Sequence, residues 1–197
     1  MISVIQNFIC TQPERLKLVE REVPKMAKVF QDYEFLINYA TLDNYFEISE
    51  VYNSNVKNLN FFNNLTKNWA EVTLELLEKV NTPYTLILCE DFDYRITYDE
   101  WNEIMDEVIE KDVSYMPLGR LWKYTTEEYH SGYESGNKLW YYSASNSPGT
   151  SLSVDALYKT DMFKEKLISA QEAISQFQLF LFNLSGMNSK NRKDDIS

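Results

Sequence analysis

The stretch TPYTLILCEDFDY, residues 82–94, joins an apolar run to an acidic one. Thr85 to Cys89 is almost continuously apolar, the pattern of a strand covered on both faces, as in the middle of a parallel sheet. It ends abruptly in Glu90-Asp91-Phe92-Asp93, which concentrates negative charge at one place. What surrounds this strand decides the kind of sheet it belongs to.

Upstream, ISVIQNFIC (2–10) is β-branched and apolar and predicts a first strand. In the TQPERL that follows, Thr11 and Glu14 stand at capping-box spacing and Pro13 suits a first helical turn. Leu16, Val19, Val23, Met26 and Phe30 recur at helical spacing, predicting a helix from about residue 13 to 31 that Pro24 bends or divides. YEFLINYAT (33–41) is the second strand, and residues 45–62 read as short strands. A helix over 63–81 carries Trp69, Val72, Leu76 and Val80 on one face.

After the acidic run, Thr97 and Glu100 form a second capping-box pair. The helix they open, over 97–112, has Trp101, Ile104, Met105, Val108 and Ile109 as its apolar stripe. Residues 113–150 are rich in Tyr and Trp, broken by glycines, and read as irregular with short strands. Asp155 to Leu184 reads as helical, and 185–197 as a polar tail or linker. The expectation is one domain over 1–184 followed by that tail.

Strand, helix, strand, helix, strand, helix through residue 112 implies an α/β fold with a parallel sheet and right-handed crossovers. Ligands in such sheets lie beyond the carboxyl ends of the strands. Three ends follow from the sequence: Cys10-Thr11, Asn38 to Asn44, and Glu90 to Asp93. The acids fall where a site belongs.

Composition narrows the classes. The net charge of −11 argues against a nucleic-acid partner and against anionic lipid, and it is compatible with binding cations. With 44% hydrophobic and 15% aromatic residues, the 197-residue chain can bury a substantial core. Cys10 and Cys89 sit in apolar strands without CxxC spacing, which suits reduced thiols. MISVIQNFIC lacks the basic start of a signal peptide, and no apolar run is long enough to span a bilayer. A cytoplasmic location without a transmembrane segment is the expectation.

Packed carboxylates repel unless a cation or protons compensate. Hard divalent ions, Mn²⁺ or Mg²⁺, prefer oxygen ligands and commonly bridge carboxylates to phosphates. Asp91 and Asp93 are two apart at a strand-to-loop junction, so both can reach one ion. The competing reading is a solvated acidic turn ahead of the next helix.

ISVIQNFICTQPERL resembles the opening strand and helix of GT-A-fold, family-2-like glycosyltransferases, which carry a VSVIIPTYNRPERL-type segment. NNLTKNWAEVTLELLEKVNTPYTLILCEDFD is similar to the block that ends in their D-x-D. The resemblance covers residues 1 to about 112 in order and spacing. It implies a GT-A-like, Rossmann-like sheet, mixed but mainly parallel and flanked by helices, in a single domain. It also implies a metal-dependent transferase moving a sugar from a UDP-, GDP- or dTDP-linked donor to a glycan or other hydroxyl acceptor, with inversion.

Carried across residue by residue, Asp91 and Asp93 match the D-x-D that meets the metal and the donor's ribose and diphosphate, with Glu90 beside them. Thr11 matches the end of the first strand, under the nucleotide, and Asn38 or Asp43 lies near the position of a base-recognising acid. The family's Pro-Thr-Tyr is replaced here by Asn7-Phe8-Ile9, and the Gly of its second block by Thr66. LYKTDMFKEKLISAQEAI resembles the region that carries the general base, which makes Glu172 the first candidate and Asp155 the second.

Arg15, Lys67, Arg95, Arg120 and Lys123 are candidate phosphate contacts. Trp122, Tyr124, Tyr129, Tyr133, Trp140 and Tyr141 suit sugar faces as well as an ordinary core. His130 reads as a loop histidine, and FQLFLFNL (177–184) as packing against the sheet. Three other functions fit less of the sequence, one of them a sugar nucleotidylyltransferase, whose Gly-rich phosphate loop near the N-terminus is missing. A haloacid-dehalogenase-type phosphatase would continue its motif with Gly-Thr, where Tyr94-Arg95 stands. A non-catalytic binding or scaffold domain would keep the fold without the chemistry.

Overall fold

The computed structural model describes residues 2–9, 12–89, 95–118, 134–135, 140–141 and 155–172. Its centre is a six-stranded sheet in the order β3-β2-β1-β4-β8-β5. β1 (Ile2–Phe8), β2 (Glu34–Tyr39), β3 (Leu59–Phe62) and β4 (Tyr84–Ile87) are mutually parallel. β8 (Ala156–Lys159) runs antiparallel to β4 on one side and to β5 (Tyr115–Pro117) on the other. A separate two-stranded ladder pairs β6 (Glu134–Ser135) with β7 (Trp140–Tyr141). The fold is therefore α/β with a mixed, mainly parallel sheet.

Helices cover both faces. α1 (Pro13–Val29), α2 (Tyr45–Asn55) and α4 (Tyr98–Glu110) share one core with Ile2, Val4, Phe8, Phe35 and Ile37. α3 (Trp69–Lys79) and a fifth helix, α5, over residues 160–172 cover the other face, where Val72, Leu76, Leu77, Phe163 and Leu167 meet Ile5, Leu36 and Ile87. Alternation along β1 splits its side chains between these cores, and each fully buried aliphatic chain contributes ~1.5–3 kcal/mol.

The chain moves outward from β1 to β2 to β3, then crosses back through α3 to place β4 on the other side of β1. The direction of winding thus reverses between β1 and β4, and the crevice at their carboxyl ends is the topological switch point where ligands bind in such sheets.

Several expectations need correcting. Residues 45–55 are helix α2, not strand: its buried Ile48 and Tyr52 are four apart, one helical turn, and only β3 follows as a strand. The chain from Asp155 begins as strand β8 before α5, because Ala156, Leu157 and Tyr158 fill the slot between β4 and β5. Gln12 is the N-cap of α1 and makes no side-chain cap bond, and Thr11 of the expected Thr11–Glu14 box lies outside the described residues. Pro13 does occupy the first turn, and the helix runs unbroken through Pro24. Thr97 and Glu100 form the capping box expected of them; a second box, Asn68 with Glu71, opens α3 five residues later than its predicted start.

Candidate functional site

The carboxyl edge of the parallel strands is lined with amides. Asn7 and Asn38 are register partners on β1 and β2. Asn38 Nδ2 donates to Asn7 Oδ1 at 3.0 Å, and Asn38 Oδ1 accepts from the backbone N–H of Asn64 at 2.8 Å. Asn7 Nδ2 donates to the Trp69 carbonyl at 2.9 Å and to Thr73 Oγ1 at 3.0 Å. Trp69 Nε1 returns a bond to the Asn7 carbonyl at 2.9 Å. These bonds fasten the ends of β1 and β2 to the start of α3 and to the loop after β3. Asn38 is fully buried, so it forms the floor of this edge with both ends of its amide engaged inside the protein.

On the opposite face of β1, Gln6 is buried and bridges two elements. Its Nε2 donates to the Cys89 carbonyl at 3.0 Å, and its Oε1 accepts from the Tyr52 hydroxyl on α2. Tyr52 is itself wedged against Phe8 and Phe61. Cys89 is the residue immediately before the acidic run, and its backbone N–H donates to Asp155 Oδ1 at 2.7 Å. Because β8 is antiparallel, its first residues lie at the carboxyl end of β4, with Ala156 opposite Ile87. That topology is what brings Asp155 to the switch point. Asp155 has φ 60, and its carbonyl accepts from Leu118 N at 2.9 Å, tying in the end of β5.

Of the remaining candidates, Asp43 and Lys67 follow β2 and β3 at this edge. Asp43 is exposed in the loop after β2, and its carbonyl accepts from Tyr39 and Thr41 hydroxyls. Lys67 precedes α3 and is ion-paired with Glu75; that hydrogen bond holds the ammonium above its ordinary value. Glu172 is exposed on α5, at the last of the described residues there. Exposed apolar side chains follow three strands along the same edge: Ile9 after β1, Leu42 and Phe46 after β2, and Leu65 after β3. Cys10, Thr11, Glu90, Asp91, Asp93, Arg120, Trp122, Lys123, Tyr124, Tyr129, His130, Tyr133 and residues 177–197 lie outside the described residues.

Among the described residues no group of three or more His, Cys, Asp or Glu side chains is arranged to hold a metal ion, and no helix is long and apolar enough to cross a membrane. Sequence reasoning passed over Gln6, Asn7, Asn64 and Trp69. The signal for the first two was present, since a Gln-Asn pair inside ISVIQNF is out of place in a strand with both faces covered.

Neither a protein-family model nor a curated protein matches this chain. Solved structures do. TarS of S. aureus, residues 1–349, superposes with a TM-score of 0.55 at 16% identity, covering 84% of this chain and 48% of its own. The same protein in complex with UDP-GlcNAc matches with a TM-score of 0.55 at 16% identity, over 84% of this chain and 47% of that one. This chain thus spans about half the length of the TarS structure it matches. The likeness shows that the fold is GT-A-like.

Proposed function

We propose that this chain is a glycosyltransferase that moves a sugar from a nucleotide-diphosphate donor to a hydroxyl acceptor, with a UDP-linked sugar the first donor to test. The observation that carries the reading is the position of Cys89, the residue that the acidic run follows in sequence. Glu90 to Asp93 follows Cys89 directly, and Cys89 is held at the β1/β4 switch point of a GT-A-like sheet. A bound UDP-GlcNAc in the structurally similar TarS supports the choice of donor class.

The donor set fits a hard cation: three carboxylates within four residues are oxygen ligands of the kind Mn²⁺ and Mg²⁺ take. Asp91 and Asp93, with Glu90 alongside, would hold that ion, which when bound supplies positive charge against the departing diphosphate. The protein's own residues do the rest. The Asn7–Asn38–Asn64 amide chain fixes the floor on which the nucleoside rests, and the loop holding Asp43 and the Lys67 segment flank it. Thr11 would bind beside the end of β1.

Glu172 is the proposed base, taking the proton of the attacking hydroxyl as the new glycosidic bond forms and the bond to the diphosphate breaks, with inversion at the anomeric carbon. Its support is that α5 starts at the amino edge, where Thr160 N bonds the Pro83 carbonyl, and is long enough, about 20 Å at 1.5 Å per residue, to recross the sheet. A cytoplasmic location is part of this reading, in keeping with two cysteines that lack CxxC spacing.

A ligand that binds only the folded state raises the melting temperature. Wild-type protein should therefore melt higher with Mn²⁺ and UDP together than with either alone. Melting that ignores nucleoside diphosphates with and without Mn²⁺ would favour a scaffold domain and end this reading.

A further inference from the structure

β1 and β4 pair from Ile2↔Tyr84 to Ile5↔Ile87, and one more ladder bond, Leu88 N to the Ile5 carbonyl at 3.0 Å, closes the match. The described pairing of the two strands ends there. The Asn7 carbonyl accepts from the Trp69 indole, and the polar groups of Cys89 go to side chains from elsewhere in the chain. Gln6 binds its carbonyl, and Asp155 binds its N–H. Gln6 is 1% exposed and oriented by Tyr52, so it cannot swing away without leaving buried polar atoms unpaired.

We infer that Gln6 and Asp155 are positioning residues that clamp Cys89 from its two sides, and that Asp155 serves as a hydrogen-bond acceptor rather than as a base. The inference rests on the proposed function for what the clamp serves, namely the departure angle of the acidic run that begins one residue on. Two properties are required of position 155. It must accept from Cys89 N–H, and it must hold a left-handed backbone, φ 60, while its carbonyl bonds Leu118 at the end of β5. Asp and Asn are the side chains that tolerate that backbone region and also offer a short-armed acceptor. Asn therefore meets both requirements without a charge, whereas a base must be able to take a proton.

The test compares Asp155→Asn, Asp155→Gly and wild type, each full length, by two measurements. Amide hydrogen exchange at Cys89 is followed without ligand, and Mn²⁺–UDP binding by calorimetry. Glycine keeps the left-handed backbone and removes only the acceptor. Losing a hydrogen bond to a charged acceptor predicts about tenfold faster exchange at Cys89 and about tenfold weaker Mn²⁺–UDP binding in the Gly variant. The Asn variant should stay within about threefold of wild type in both.

An Asn variant as impaired as the Gly variant would overturn the acceptor role and return Asp155 to the candidates for charge-dependent chemistry. A Gly variant that matches wild type would remove the clamp altogether. If wild-type protein binds no Mn²⁺–UDP, the functional reading fails, and the exchange rates still decide whether Asp155 holds Cys89. Gln6→Leu with Tyr52→Phe removes the second half of the clamp together with both side-chain partners of the Gln6–Tyr52 bond, and should also speed exchange at Cys89. Unchanged exchange in that variant would show that Gln6 takes no part.

Discussion

Asn38 and Asn7 face each other across β2 and β1 and share one side-chain hydrogen bond, Nδ2 to Oδ1, at 3.0 Å. A buried amide paired with a half-buried one at a single register position is unusual in a sheet covered on both faces, where apolar pairs are the rule. Here the bond continues on either side, through Asn64 N–H to the loop after β3 and through Trp69 and Thr73 to α3. The amide chain welds three carboxyl ends together at the edge where a nucleotide would lie.

Asn38→Leu keeps the forked outline of that side chain in a bulkier form and removes its donor and acceptor. Asn7 Oδ1 and the Asn64 N–H then lose their partner inside the protein. Leaving such groups unpaired costs about 1–3 kcal/mol, so the urea midpoint should fall by an amount equivalent to about 2 kcal/mol. A midpoint at or above that of wild type would show that these bonds contribute nothing.

Thr97 opens α4 by accepting from Glu100 N while the Glu100 carboxylate accepts from Thr97 N at 2.9 Å. Thr97→Ala should destabilise the protein by about 1 kcal/mol, and Thr97→Asp by much less, since Asp is an equally good cap. Equal losses in the two variants would mean that something other than capping is at stake there.

Glu22 is buried on α1 beside Lys25 and Arg21, with Lys25 Nζ 3.0 Å from its Oε2. Burial pushes its carboxyl up, but the bonds and charges of Lys25 and Arg21 together outweigh that and hold it below the ordinary 4.5. A carboxyl lowered in the folded state stabilises it fully above its unfolded value, and the contribution is lost as pH falls through the folded value. Glu22→Gln should thus be less stable than wild type at neutral pH, with the gap closing as pH drops below 4.5. A gap that stays constant into acid would contradict the ion-pair account.

At the alkaline end the sign reverses. Burial, opposed by the hydrogen bond from Trp101 and aided by the nearby Tyr98 and Asp32, raises the Tyr33 phenol to about 12 from 10.0. Between those values the folded state holds a proton that the unfolded chain has released, so stability declines as pH rises through them. Tyr33→Phe should flatten that decline and at neutral pH cost about 1 kcal/mol, because Trp101 Nε1 loses its 2.7 Å acceptor. An alkaline limb as steep as that of wild type would rule Tyr33 out as its source.

Much of this fold is written locally. β1, β2 and β4 show as apolar runs, and α1, α3 and α4 carry stripes at helical spacing, because each buries its own periodic face, with Trp69 and Ile109 of the expected stripes left exposed. α2 escaped because Tyr45, Phe46, Ile48, Val51 and Tyr52 favour strands one by one, and tertiary packing of Ile48 and Tyr52 overrides that preference. β8 escaped because its strand character comes from β4 and β5, which contact it from about forty to seventy residues away in sequence. The site divides in the same way. The acidic run stands out as charge in the sequence, while the clamp on Cys89 needs Gln6, Cys89 and Asp155 together, and only the completed sheet brings them there.

The central claim is that the carboxylates of Asp91 and Asp93 bind a divalent ion together with a nucleoside diphosphate. Calorimetric titration of UDP into full-length protein, with and without Mn²⁺, tests it directly when wild type is set beside the Asp91→Asn, Asp93→Asn double variant. The account predicts Mn²⁺-dependent binding by wild type that the folded double variant lacks. Binding of equal strength in both proteins, or none in either, would contradict it.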